Sequence, residues 1–247
     1  MAFDKKRILV AGASSGIGKA VAKRLDELGA DVVLLARNED KLVKTFRQMK
    51  NSSQYICYDL EDTEHLEDIM SNMTLNGKLD AYVHCAGICD LKPAKQVTPF
   101  DLNKTMSINA FSFFELSRLF CKPKYSNSSA AIVGVSSFAA VTAEPGMSVY
   151  AMSKAVMNTQ IKVMSKEFVK RRIRINTIMP AQVESKMGEN DAPWTVEELD
   201  EVKQYQPFGA IPIEQVVNCI EFLLSNEKSG YITGESIAIT GGYRSNY

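Results

Sequence analysis

Arg7-Ile8-Leu9-Val10-Ala11-Gly12-Ala13-Ser14-Ser15-Gly16-Ile17-Gly18-Lys19-Ala20-Val21-Ala22-Lys23-Arg24-Leu25 is the stretch from which the fold is read. Its first five residues are an apolar run of strand type, and the glycines at 12, 16 and 18 follow at once. Apolar residues at 17, 21, 25 and 28 then keep helical spacing until Gly29 stops the run. Strand, glycine turn, helix is the setting in which backbone approaches a pyrophosphate and a helix N-terminus offers it unpaired N–H groups. The same turn could also serve only to pack helix on strand, and its spacing is G-x-x-x-G-x-G rather than G-x-G-x-x-G.

Outward from this unit, strand and helix patterns alternate without a break. Strands are expected near 7–11, 31–36, 54–58, 79–86, 130–136, 173–179 and 236–239. Several, such as Val32-Val33-Leu34-Leu35-Ala36, are nearly all apolar, as strands covered on both faces are. Helices are expected near 16–28, 39–49, 62–74, 99–121, 149–169 and 213–225, with Asp62 and Pro99 suited to helix starts. Ser126-Asn127-Ser128-Ser129 reads as a polar loop, and 184–210 is the least regular stretch. Right-handed crossovers then predict an α/β fold: one doubly wound Rossmann-type domain over 1–247 with a parallel sheet.

Bulk composition excludes several classes. The chain has 247 residues, and 29 Lys plus Arg balance 29 Asp plus Glu, so nothing draws it to nucleic acid or to an anionic membrane. Its apolar runs are strand-sized, too short to span a bilayer, and Lys5-Lys6-Arg7 precedes too few apolar residues for a signal peptide. Cys57, Cys85, Cys89, Cys121 and Cys219 are scattered without a C-x-x-C pair, and neither His65 nor His84 shares metal-ligand spacing with them. They read as reduced thiols of a cytoplasmic protein with no metal site.

Tyr150 and Lys154 lie four residues apart at a predicted helix start, which stacks them on one helical face. A neighbouring ammonium favours the phenolate, so Lys154 is expected to lower the Tyr150 pKa toward neutrality. Such a tyrosine can give a proton to a carbonyl or take one from an alcohol.

From Lys6 to Gly242 the chain resembles the short-chain dehydrogenase/reductase superfamily in its compact form of roughly 250 residues. The likeness rests on Gly12-x-x-x-Gly16-Ile17-Gly18, Asp59-Leu60, His84-Cys85-Ala86-Gly87, Asn109, Ser137, Tyr150-x-x-x-Lys154, Pro180 and Thr240-Gly241-Gly242. It implies a seven-stranded sheet of order 3-2-1-4-5-6-7 and hydride transfer between a nicotinamide cofactor and a carbonyl or secondary alcohol, with reduction favoured. Tyr150 would then be the proton donor. Lys154 would tune it and hold the nicotinamide ribose, Ser137 would bond the substrate oxygen, and Asn109 would hold a water behind Lys154. Cofactor contacts are implied for Gly12, Ser14, Ser15, Gly16, Ile17, Gly18, Arg37, Asn38, Asp59, Leu60, Ala86, Gly87, Pro180, Val183 and Ser185, besides Tyr150 and Lys154.

Ala36 stands where NAD-preferring members put an aspartate, and Arg37 follows, suited to a 2′-phosphate, so NADP(H) is expected over NAD(H). Ser15 is a counter-signal, because NADP-preferring members often carry Arg or Lys there. Asp59 is expected on the adenine amino group or, alternatively, as the cap of the next helix. His84-Cys85 replaces the family's Asn-Asn; Cys85 is expected under the cofactor, and His84 as a hydrogen-bonded structural residue.

The expected pocket is Ile88, Phe138, Pro145, Met147, Val183, and the lid of 184–210 with Met187 and Trp194. Trp194 could cover substrate or pack in an interface. An apolar pocket names no ketone. 3-Oxoacyl-carrier-protein reduction is one option, although Tyr125-Ser126-Asn127-Ser128-Ser129 lacks the arginine such enzymes often carry. The alternative from another class is a non-catalytic NADP(H)-binding module. Apolar positions along 99–121 and 149–169 imply, by resemblance, a homotetramer or dimer, with 237–239 and the tail Tyr243–Tyr247 as a second interface.

Overall fold

The computed structural model describes residues 2–51, 54–185 and 195–244. Seven strands form one parallel sheet: β1 Arg7–Ala11, β2 Asp31–Ala36, β3 Gln54–Cys57, β4 Leu79–His84, β5 Ser126–Val135, β6 Arg174–Pro180 and β7 Ser236–Ile239. Their order is β3-β2-β1-β4-β5-β6-β7, the order the resemblance implies. Strand side chains alternate between faces, so β1 feeds two cores. Ile8 and Val10 pack with Val32, Leu34 and Val83 in one core, and Leu9 with Val33, Leu35 and Tyr82 in the other. Each fully buried side chain of this kind contributes roughly 1.5–3 kcal/mol, which is why the strands read as unbroken apolar runs.

Two 12-residue helices pack into the first core, beside Leu42. These are α1, Gly16–Glu27, which buries Val21 and Leu25, and, further along the chain, α9, Ile213–Leu224, which buries Val216 and Ile220. Between them in sequence lie α2 Glu39–Phe46, α3 Leu66–Met73, α4 Pro99–Met106, α5 Ser112–Phe120, α6 Ala139–Thr142, α7 Ser148–Glu167 and α8 Val196–Tyr205, and α10 Asn226–Ser229 follows α9. The second core is closed by Met70 of α3, Phe113 of α5 and Ile161 of α7.

The structure differs from the sequence expectations in four places. Ser126–Ser129 is not a loop but the start of β5: Ser126 pairs with Leu79, and the register slips before Ala131 pairs with Ala81. Ser129 absorbs the slip at φ +60°, and Arg171 holds the Ser126 carbonyl at 2.7 Å, so polar residues complete an edge that apolarity alone does not mark. The helix expected from 62 begins at Leu66, because the Asp62 carboxylate accepts from the Glu64 and His65 N–H groups and ties up a turn ahead of it. The single helix expected over 99–121 is α4 and α5 joined by a π-helical turn, Ser107–Phe111. Within the irregular stretch 184–210, α8 stands as a regular helix, started by a reciprocal cap between Thr195 and Glu198.

Candidate active site

All strands run parallel, so their C-terminal ends share one edge, and the chain reverses direction across the sheet between β1 and β4. A cleft of about 690 Å³ opens there. The glycine turn forms its floor. Gly12 has φ +84°, and a Cβ on it would lie 2.7 Å from the Ala86 nitrogen. A Cβ on Gly18 would lie 2.2 Å from the Gly12 carbonyl oxygen. Only glycine fits either place, and the N-terminus of α1 is thereby laid bare to the cleft. This cradle and the dipole behind it fit the pyrophosphate of a dinucleotide. Cys85 packs beneath the turn, its Cβ 3.1 Å from the Cβ position of Gly18.

The cleft is lined by Gly12, Ser14, Ser15, Gly16, Ile17, Gly18, Arg37, Asn38, Asp59, Leu60, Ala86, Gly87, Ser137, Tyr150, Lys154, Pro180, Val183 and Ser185. At one end Arg37 and Asp59 are exposed and form an ion pair at 3.5 Å. Asp59 also accepts from the Glu61 N–H at 3.0 Å, so it caps the turn ahead of α3. The Asn38 side chain caps α2 by accepting from the Lys41 N–H at 2.9 Å.

At the other end α7 presents Tyr150 and Lys154 on one face. The Lys154 ammonium donates to the Val135 carbonyl at 2.9 Å and lies 5.7 Å from the Tyr150 ring centre. Burial pulls Lys154 down to about 8. The expectation for Tyr150 is reversed: burial pushes its phenol up to about 12, and a hydrogen bond with Ser137 opposes this only in part. Spacing placed the ammonium near the ring but could not show that its hydrogen bond goes to backbone, nor how much water the phenol loses.

Asn109 does not line the cleft. The π-helical turn buries it fully behind the wall, where its amide donates to the Ile88 carbonyl at 2.9 Å and to Ser153 Oγ at 3.0 Å and accepts from the Ile88 N–H at 2.8 Å. A Cβ on Gly87 would meet Lys154 Nζ at 3.2 Å and Asn109 Oδ1 at 3.3 Å, so both groups close on that glycine. Asn109 is thus tied to Ile88 and to Ser153 of α7, and stands beside Lys154 at Gly87. His84 is fully buried and bonded to the Tyr82 hydroxyl at 2.5 Å; burial and then the Lys154 charge hold it down to about 3, a neutral structural histidine.

Of the expected substrate pocket, Ile88, Phe138, Met147 and Val183 line the cleft. Pro145 is exposed and stands off it, and Glu144 takes the place expected for it. Met187 and Trp194 lie outside the described residues. Tyr58, Cys89 and Glu144 line the cleft without having been read as site residues, and Tyr243, expected in a tail interface, lines it too. Glu144 lies between Ser137 and Tyr150, and that was the available signal; nothing local marks Tyr243, which the fold returns from the end of the chain. Among the described residues no group of three or more His, Cys, Asp or Glu could hold a metal ion, and no helix is long and apolar enough to cross a membrane.

A family model described as enoyl-(acyl carrier protein) reductase matches residues 12–244. The chain belongs to the short-chain dehydrogenase/reductase superfamily. It is 32% identical over 238 residues to a 3-oxoacyl-[acyl-carrier-protein] reductase of Rickettsia conorii, covering 96% of each chain. It is 31% identical over 245 residues to human L-xylulose reductase, again with 96% of each covered. A solved short-chain dehydrogenase/reductase from Serratia marcescens superposes with a TM-score of 0.89 at 27% identity, over 98% of this chain and 99% of that one. This member of the superfamily is a carbonyl/alcohol oxidoreductase.

Proposed function

We propose that the protein is an NADP(H)-dependent reductase of ketones in which Tyr150 gives the proton to the carbonyl oxygen. The observation that carries this reading is the buried Tyr150 phenol, hydrogen-bonded with Ser137 beside the Lys154 ammonium, at the wall of a cleft floored by the glycine cradle. When bound, the nicotinamide supplies the hydride. Every other task falls to the chain.

The N-terminus of α1, with Ser14, Ser15, Gly16, Ile17 and Gly18, receives the pyrophosphate. Leu60, Ala86, Gly87, Pro180, Val183 and Ser185 wall the cofactor's remaining length, and Asp59 meets the adenosine end. Arg37 receives the 2′-phosphate: it is exposed there, and no carboxylate stands at Ala36 to repel that group. Lys154 holds the ribose hydroxyls. Ser137 donates to the substrate oxygen and stabilises the charge that develops on it. A phenol held well above neutral is in its proton-donating form at pH 7, which suits reduction. Asn109 is a positioning residue.

From the stretch 184–210, Ser185 and Glu198 of α8 border the cleft; the chain 1–247 works as one domain, and it assembles as a tetramer or dimer in the cytoplasm. Following absorbance at 340 nm with NADPH and with NADH over a panel of 3-oxoacyl thioesters, keto sugars, diketones and steroid ketones tests the reading. Turnover with NADPH exceeding that with NADH by tenfold or more supports it; cofactor binding without turnover of any ketone favours the binding-module alternative.

A further inference from the structure

Beyond Lys154 the described residues that line the cleft include carboxylates and no cation. Among the described lining residues the cations are Arg37, at the adenosine end, and Lys154, at the catalytic wall. The carboxylates beyond Lys154 are Glu144 and Glu198. Lys92, whose backbone N–H meets Gly146 of the same loop as Glu144, spends its ammonium on Asp101 at 2.7 Å.

Glu144 is placed there by a costly loop. Ala143, a residue with a Cβ, adopts the left-handed φ +52°, and Gly146 follows at φ +83°. Such a conformation costs about 1 kcal/mol for a non-glycine residue and is kept where surrounding structure requires it. The Glu144 carbonyl then accepts from the Met147 N–H at 3.1 Å and closes the turn into α7. The side chain is fixed as well: Glu144 Oε1 accepts from the Tyr243 hydroxyl at 2.9 Å. Among the described residues Oε2 has no hydrogen-bond partner. Tyr243 packs nearly edge-on to Phe138, centroids 5.5 Å apart, and also packs on Tyr205 at 5.4 Å. A fixed carboxylate beside two aromatic rings set at a steep angle is the chemistry that recognises an ammonium group. A polyol would need donors as well as acceptors, and the Tyr243 hydroxyl already donates to Glu144 while the Thr142 hydroxyl donates to the Phe138 carbonyl at 3.4 Å.

We propose that Glu144, Tyr243 and Phe138 form a cation subsite, so that the ketone reduced in this cleft carries an ammonium group. The proposal rests on the reductase reading above. The same charges disfavour anionic acyl carriers.

Three six-membered ketones of nearly one shape test it: N-methyl-4-piperidone, cationic at neutral pH, 4-methylcyclohexanone, neutral, and 4-oxocyclohexanecarboxylate, anionic. Their kcat/KM values with NADPH are compared in the wild type and in Glu144→Gln, which keeps an acceptor for Tyr243 and loses the charge. The proposal expects the cation to exceed the neutral ketone by about tenfold or more, and the neutral ketone to exceed the anion. In Glu144→Gln the cation-to-neutral ratio falls about tenfold. A neutral ketone equal to or better than the cation overturns the subsite and leaves the reductase reading standing, as does an unchanged ratio in Glu144→Gln. If none of the three is reduced, their affinities for the enzyme–NADPH complex are read from NADPH fluorescence. A preference for the cation that Glu144→Gln removes upholds the subsite and its absence overturns it, while the reductase reading is decided by the wider ketone panel.

Discussion

Lys154 Nζ lies 5.7 Å from the centre of the Tyr150 ring but donates its hydrogen bond to the Val135 carbonyl at 2.9 Å. The ammonium is thus near the phenol without being its partner, and burial sets the pKa of each: the phenol goes up and the ammonium comes down. Reduction uses the phenol and oxidation uses the phenolate. The kcat for ketone reduction should therefore stay level from about pH 6 to 7, below the value at which Lys154 loses its proton, while kcat for alcohol oxidation climbs over the same range. An oxidation rate already level at neutral pH would show that Tyr150 ionises there.

Lys154 also weakens the fold that holds it. Its pKa falls from 10.5 to about 8, so keeping it charged in the folded state costs about 3 kcal/mol at neutral pH. Because the unfolded chain holds this proton more tightly, the penalty is full below pH 8, shrinks as pH rises toward 10.5 and vanishes above that. Lys154→Met, which also loses the bond to Val135, should be more stable than the wild type by about 2 kcal/mol at neutral pH, with no activity. Urea melts across pH check this: the gap should narrow as pH rises.

The glycines divide into two kinds. Gly18→Ala forces a Cβ to 2.2 Å from the Gly12 carbonyl oxygen, and backbone must move. That variant should lose NADPH affinity by at least about 30-fold and lose several kcal/mol of stability. Gly146→Ala meets nothing within 4 Å and carries only the left-handed backbone cost, about 1 kcal/mol. Thermal melts and fluorescence titrations of the two variants separate the effects.

Arg37 is exposed and, among the described residues, its guanidinium is held by Asp59 alone at 3.5 Å, so a 2′-phosphate can draw it away. Arg37→Asp should weaken NADPH binding about 30-fold or more and NADH binding no more than a few-fold. Equal loss of both would remove Arg37 from the phosphate role.

Much of the fold was legible because buried parallel strands leave unbroken apolar runs, as at Val32–Ala36, and because Gly12, Gly16 and Gly18 follow such a run directly. The beginning of β5 was not, since Ser126–Ser129 joins the sheet through backbone pairing and Arg171, which hydropathy does not register. The π-helical turn at Asn109 left no mark either, because Met106-Ser107-Ile108-Asn109 keeps ordinary helical residues. At the site, Tyr150 and Lys154 were found by spacing, whereas the direction of the Tyr150 shift depends on burial, which no spacing reports. Tyr243 reaches the cleft from a segment 99 residues beyond Glu144, a contact made by topology alone.

The central claim is that Tyr150 is the proton donor, and the most direct measurement is the turnover of Tyr150→Phe at saturating ketone and NADPH, paired with its NADPH dissociation constant. The account predicts a loss of kcat of about a thousandfold or more with NADPH affinity within a few-fold of the wild type. A variant that binds NADPH and still reduces the ketone at a rate near the wild type would contradict it.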